Sequence, residues 1–222
     1  MRGTGVRGIG TVGVLLAAGV LLGASSATAA TNPAGVASLG SASVVQDGVA
    51  STVAPVGQCD LAGQPFGDTS GASLPGVVSY GTGHSSCTVQ ATANTSTSTA
   101  TGASFTLTAL RSYGGPVISL GSYTVTCTAK VNATNANWEY ANLIGITGLP
   151  SPLPTDYTRE ITGADGTVLA KVVLNEVVLP SPNDGSIELN LMHIQLFPDG
   201  GPLSGDIYVG STACSPTTAP SS

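Results

Sequence analysis

Three consecutive segments decide the fold: Thr167-Val-Leu-Ala-Lys-Val-Val-Leu-Asn-Glu-Val-Val-Leu179, Ser186-Ile-Glu-Leu-Asn-Leu-Met-His-Ile-Gln-Leu196 and Gly205-Asp-Ile-Tyr-Val-Gly-Ser-Thr212. Each is apolar or β-branched at alternating positions, the period of a half-buried strand. Each of the first two ends in turn chemistry, Asn183-Asp184-Gly185 and then Pro198-Asp199-Gly200-Gly201-Pro202. The stretch therefore predicts an antiparallel run of three strands, the part around which the chain is built.

The same period continues upstream. Cys87, Val89, Ala91 and Ala93 share one face, then Phe105, Leu107 and Ala109, then Tyr123, Val125, Cys127, Ala129 and Val131. Asn94 to Ala100 keeps strand propensity without an apolar face. Pro150, Pro152 and Pro154 make an extended connection before the Asp165-Gly166 hairpin turn. No apolar helical period holds for three turns beyond residue 30. These features predict an all-β chain, an antiparallel β-sandwich-like single domain over residues 72–214, with a flexible tail at 215–222. Residues 31–71, rich in Ala, Ser, Gly and Val, alternate weakly, with one or two strands expected around Ala42 to Val45 and Val49 to Val53; they bury little side-chain area and are expected to be a weakly ordered segment docked on that domain.

Residues 1–30 read as a secretory signal peptide. Arg2 and Arg7 form a basic head, Val12 to Leu22 a short apolar core, and Ala27-Thr28-Ala29 the small residues of a cleavage site. That core is shorter than the roughly 20 residues a membrane-spanning helix needs, and no later segment is apolar for as long. The expectation is a secreted or extracellular chain, in the medium or associated with the cell wall, without an integral membrane span.

Cleavage removes two of the six basic residues, leaving Arg111, Lys130, Arg159 and Lys171 against twelve acids, a formal charge of −8. Phosphate recognition rests on clustered Lys and Arg, so a nucleic-acid partner is excluded. The acids are spread singly, as on a solvated anionic surface. Charged residues are only 8% of the chain and mean hydropathy is +0.31, which is a folded rather than a disordered composition.

Four cysteines in an exported chain predict two disulfides, and spacing alone leaves three pairings open. Cys127 closes the inward face of one strand and Cys214 follows the last strand. That placement favours Cys127 with Cys214 across the core, and Cys59 with Cys87 as the complement. No Cys-x-x-Cys pair occurs and there are two histidines, so neither a metal nor another cofactor is expected.

Val172-Val-Leu-Asn-Glu176, Ile187-Glu-Leu-Asn-Leu-Met-His-Ile194, Gly205-Asp-Ile-Tyr-Val-Gly-Ser-Thr-Ala-Cys-Ser-Pro216 and Ser122-Tyr-Thr-Val-Thr-Cys-Thr-Ala129, in this order and spacing, resemble the choice-of-anchor P family of actinobacterial exported proteins. The resemblance covers about residues 72–216 and departs from the family pattern at Val177 and at Asn190-Leu191. It implies an exported β-domain and adds support to the Cys127–Cys214 pairing. The family is named for C-terminal tails carrying different surface anchors. Ser215 to Ser222 carries no sorting motif, apolar span or basic end, which implies release or retention by other means.

Candidate chemistry is sparse. Glu176 and His193 lie on adjacent predicted strands and form the one acid-base or metal-ligand pair, the basis of an alternative reading as a secreted hydrolase or metal-dependent enzyme. Alternation puts His193 on the face of Leu189 and Leu191, which predicts a buried histidine bonded to a carboxylate or to main chain, with no third convergent group. His84 reads as a turn residue. No Gly-x-Ser-x-Gly elbow occurs. Trp138 and Tyr140 are candidates to stack on a glycan, although isolated strand aromatics more often sit in a core or at an edge. The reading that results is a non-enzymatic exported β-domain, a structural or interaction module for an unidentified surface or matrix partner.

Overall fold

A computed structural model describes residues 32–217; the expected leader (1–30) and the last residues of the expected tail lie outside the described residues. Sixteen strands follow one another: β1 (Gly35–Gln46), β2 (Val49–Val53), β3 (Cys59–Asp60), β4 (Phe66–Thr69), β5 (Ala72–Leu74), β6 (Val78–Tyr80), β7 (Gly83–Gln90), β8 (Thr95–Gly102), β9 (Phe105–Leu107), β10 (Ile118–Leu120), β11 (Ser122–Lys130), β12 (Ala133–Ala141), β13 (Tyr157–Thr162), β14 (Val168–Val178), β15 (Ile187–Leu196) and β16 (Leu203–Cys214).

The three segments that decide the fold are β14, β15 and β16, and they pair in succession. They form the centre of a seven-stranded sheet ordered β13-β14-β15-β16-β1-β2, with β3 also on β1. A five-stranded sheet, β12-β11-β8-β7-β4, packs on it through β8 and β11, and a four-stranded sheet, β10-β9-β6-β5, lies beside them. All these pairings are antiparallel. Leu39, Tyr123, Val125, Leu189, Ile194 and Ile207 fill the space between the layers, each withdrawn from water, and their apolar area is the main favourable term for the domain. The fold is the all-β, antiparallel, single-domain sandwich the periodicity predicts. Its two disulfides join Cys59 to Cys87 and Cys127 to Cys214.

One expectation about the element order is corrected. The stretch 31–71 is not an appendage docked on a domain that begins at residue 72. Within it β1 is a twelve-residue strand inside the large sheet, between β16 and β2. Its small side chains bury little, but pairing along both edges supplies the order that side-chain area does not. The tract Asn94 to Ala100, expected to keep strand propensity without an apolar face, does lie mostly in β8, whose buried Ser96, Ser98 and Ala100 are small.

One irregularity crosses four strands of the large sheet. The β1–β16 register passes from Gly40↔Val209 to Ser38↔Ser211, the β15–β16 register from Met192↔Val209 to Asn190↔Ser211, and the β14–β15 register from Leu174↔Met192 to Glu176↔Asn190. Leu39, Gly210, Leu191 and Asn175 thus form one unpaired row. Gly210 and Asn175 take left-handed conformations there, with φ of 61° and 54°, which glycine and asparagine tolerate best.

The main chain freed by this row is satisfied from other elements. Tyr123, on the facing sheet, donates its hydroxyl to the Leu39 carbonyl at 2.9 Å. Tyr80, on β6, donates to the carbonyls of Ser41 and Tyr208 at 2.7 and 2.9 Å. Burial pushes both phenols well above the ordinary tyrosine range. On β14, Asp156 donates its N–H to the Asn175 carbonyl and accepts from the Val177 N–H.

The row also reverses which residues face out. Along β15 the buried series Leu189, Leu191 gives way to Met192, Ile194, Leu196. Asn190 and His193, three residues apart and so of opposite parity, both meet the Glu176 carboxylate. His193 therefore does not share a face with Leu189 and Leu191, as strict alternation predicts.

Candidate functional site

The outer face of the large sheet carries a connected polar cluster drawn from β14, β15 and β16. His193 Nδ1 lies within hydrogen-bond distance of Glu176 Oε1 and Nε2 of Asp206 Oδ1, each at 2.8 Å. Asn190 donates Nδ2–H to Glu176 Oε2 at 2.9 Å and to Glu188 Oε1 at 3.3 Å. Ser211 donates its hydroxyl to Asn190 Oδ1 at 2.7 Å. The Tyr208 ring stacks on the imidazole, centroids 4.4 Å apart and planes 19° apart.

Ionised carboxylates only accept hydrogen bonds, so an imidazole facing one at each nitrogen is best satisfied as the doubly protonated cation. Burial acts against that charge and is the largest single influence on His193. The hydrogen bonds to Glu176 and Asp206 and the charges of those two groups together outweigh it, and the net direction is upward from the ordinary histidine value. For Glu176, burial again opposes ionisation most, but the bonds from His193 and Asn190 and the imidazolium charge bring its carboxyl below the ordinary value. The Tyr208 phenol is raised by burial and then by the charges of Asp206, Glu176 and Glu188.

Glu176 and His193 are thus brought together as the sequence pairs them, and His193 is buried, 8% exposed, and bonded to carboxylates as expected; what differs is its face, which is the polar one and not that of Leu189 and Leu191. The expectation that no third group converges is overturned by Asp206. Asp206 and Tyr208 are the residues sequence reasoning missed. A hairpin centred on the Pro198–Pro202 turn pairs His193 with Tyr208, so register counting from that turn was the available signal.

The other candidates lie elsewhere. Trp138 and Tyr140 are partly buried against the core. His84 is an exposed residue of β7, opposite Asp68 and Thr101, rather than a turn residue. Among the described residues no group of three or more His, Cys, Asp or Glu is arranged to hold a metal ion.

Beside the cluster runs an open groove of about 260 Å³. Ser38 and Ser41 of β1 and Ser211 of β16 lie along it, Tyr208 and Glu188 stand on the side of the cluster, and Pro55 and Gln58 on the other. Tyr208, Glu188 and Ser211 belong to both features, so the hydrogen-bonded cluster is one wall of the groove. His193, Glu176 and Asp206 do not line it.

The arrangement suits binding better than proton transfer. A general base needs a free nitrogen within reach of the substrate proton, and both nitrogens of His193 are engaged. No protein-family model, curated protein or solved structure matches the chain. Among the described residues no helix is long and apolar enough to cross a membrane.

Proposed function

We propose that the chain is an exported, non-enzymatic β-domain that acts at the cell surface or in the extracellular matrix as an interaction module, with the groove beside Tyr208 as its contact surface. The observation that carries this reading is the self-contained Glu176–His193–Asp206 cluster, whose imidazole gives both nitrogens to carboxylates and none to the groove. Held in this way, the three groups tie β14, β15 and β16 together and fix the Tyr208 ring. Export is supported by the leader-like residues 1–30 and by two disulfides, which persist in oxidising compartments. The resemblance to choice-of-anchor P proteins supports the same reading.

A secreted hydrolase or metal-dependent enzyme is the second reading, and the convergence of Asp206 on His193 favours it, because an acid–histidine–acid set is one that catalysis can use. The purified exported chain, assayed on ester, peptide and glycoside substrates with and without added divalent cations, separates the two. The module reading expects no turnover above that of the His193→Gln variant. Turnover that disappears in His193→Gln and Asp206→Asn variants with intact disulfides overturns it. Fractionating a culture into medium, wall and membrane tests export, and retention of the chain inside the cell would refute it.

A further inference from the structure

We infer that the groove beside Tyr208 binds a neutral oligosaccharide segment, with one sugar ring laid against the tyrosine and the rest of the glycan leaving through the open ends. The inference rests on the interaction-module reading and names the partner's chemistry.

The first support is the platform. Tyr208 stacks on His193 through one ring face, and His193 is locked by two carboxylates. The tyrosine also lines the groove, so it offers an aromatic surface whose orientation is fixed before a ligand arrives. Pre-set orientation lowers the entropy a ligand must offset, and an aromatic face accommodates the C–H face of a pyranose ring.

The second support is a small set of polar groups on a lining that is otherwise mostly apolar, with Pro33, Val36, Ala37, Pro55 and Ala213. A sugar presents hydroxyls around its edge, each a donor and an acceptor. The groove supplies matching groups in the hydroxyls of Ser38 and Ser41, the amide of Gln58 and the carboxylate of Glu188. Ser211 has its proton committed to Asn190 and keeps acceptor capacity for an incoming hydroxyl.

Charge selects among ligands of that shape. No lysine or arginine lines the groove, Glu188 does, and Glu176 and Asp206 stand behind Tyr208. Both nitrogens of His193 are already engaged by carboxylates. Phosphates, uronates and nucleic acids therefore meet repulsion without a compensating cation, whereas a neutral glycan meets acceptors for its hydroxyl protons. At about 260 Å³ the groove is close to the lower end of ligand clefts and cavities, roughly 300–1,000 Å³, which fits a short stretch of a longer chain.

Affinity electrophoresis of the exported chain in gels containing a mixed-linkage β-glucan, a galactomannan or soluble starch, with polygalacturonate as the anionic control, tests the inference. Retardation by at least one neutral polysaccharide and none by polygalacturonate is expected. Tyr208→Ala should weaken it about tenfold, whereas Tyr208→Phe, which keeps the ring, should stay within about twofold. Glu188→Lys changes a partly exposed rim residue that also accepts from Asn190 and tests the acceptor wall with the Tyr208 ring left in place; it should also weaken retardation about tenfold. No retardation in any neutral gel, strongest retardation by polygalacturonate, or retardation unchanged in Tyr208→Ala or Glu188→Lys overturns the inference and leaves the interaction-module reading standing. Shortened polysaccharide recovered from the gels would overturn the module reading itself.

Discussion

Replacing His193 by glutamine removes the charge at the centre of the cluster while leaving a side chain able to make neutral hydrogen bonds. A hydrogen bond to a charged partner contributes about 1.5–3 kcal/mol, and a neutral one about 0.5–1.5 kcal/mol. The bond to Glu176 lies in a sheltered site, with side chains 11% and 19% exposed, and takes the upper part of that range. The Asp206 side chain is 45% exposed, so solvent screening holds the second bond near the bottom. The variant should then be less stable by about 2 kcal/mol in mild acid, or about 4–8 °C in Tm for a chain of this size.

The sign of the pH dependence follows from the two shifted groups. His193 titrates above its ordinary 6.5 in the fold, so its contribution is fully present below pH 6.5 and is lost as pH rises through the raised value. Glu176 titrates below its ordinary 4.5, so its contribution is present above pH 4.5 and is lost as pH falls through the lowered value. Both describe one ion pair and are not summed; its full effect occupies the window between 4.5 and 6.5. Thermal unfolding followed by circular dichroism from pH 4 to 9, with disulfides oxidised, should show the gap between wild type and His193→Gln shrinking to under about 1 kcal/mol at pH 9. A gap that is constant across this range, or that widens with rising pH, refutes the assignment of His193 as an imidazolium clamp.

Three further outcomes follow from the packing. Cys127–Cys214 closes 87 positions and Cys59–Cys87 closes 28, so on the chain-entropy model their removal costs about 4.6 and 3.6 kcal/mol; urea unfolding of the two double Cys→Ala variants should rank them in that order, and the reverse order contradicts it. Tyr123→Phe leaves the buried Leu39 carbonyl without its donor and should cost about 1–3 kcal/mol by the same measurement, whereas a loss below about 0.5 kcal/mol would mean that water replaces the hydroxyl. Gly210→Ala places a side chain on a left-handed residue beside Tyr123 and Val125 at about 1–2 kcal/mol. Gly40→Ala should cost more, because its new Cβ would overlap the Tyr208 carbonyl, and equal losses would sink that account.

Most of the architecture was legible because alternation and turn chemistry agree over long runs. β14, β15 and β16 each carry enough branched apolar side chains to declare a face, and their turns contain the Gly, Asp and Pro that tight connections need. β1 was legible only in part: the weak alternation around Ala42 to Val45 marks its second half and Val49 to Val53 marks β2, while its first half was hidden for a physical reason. Its place in the sheet is secured by main-chain pairing along both edges, a property of the backbone that leaves no mark on side-chain pattern. Its small outward residues, Ser38 and Ser41, also leave the space that becomes the groove, so the feature that hides the strand in the sequence gives it a part in the site.

The cluster was half legible, and the missing half traces to the unpaired row. Alternation assumes that each residue turns the chain over once, and under it His193 belongs with Leu189 and Leu191. One residue per strand left out of pairing, at Leu39, Gly210, Leu191 and Asn175, adds an extra half-period and brings His193 to the face of Asn190 and Glu176. The same half-period on β16 puts Tyr208 and Ser211, again three residues apart, on that face. Without the row the outer face would carry either Asn190 and Ser211 or His193 and Tyr208, but not both pairs. The hydrogen-bonded wall and the aromatic platform therefore depend on one backbone irregularity. Its main chain is bonded by Tyr123 at Leu39 and by Asp156 around Asn175, both from outside the four strands, which ties the site to the packing of the core behind it.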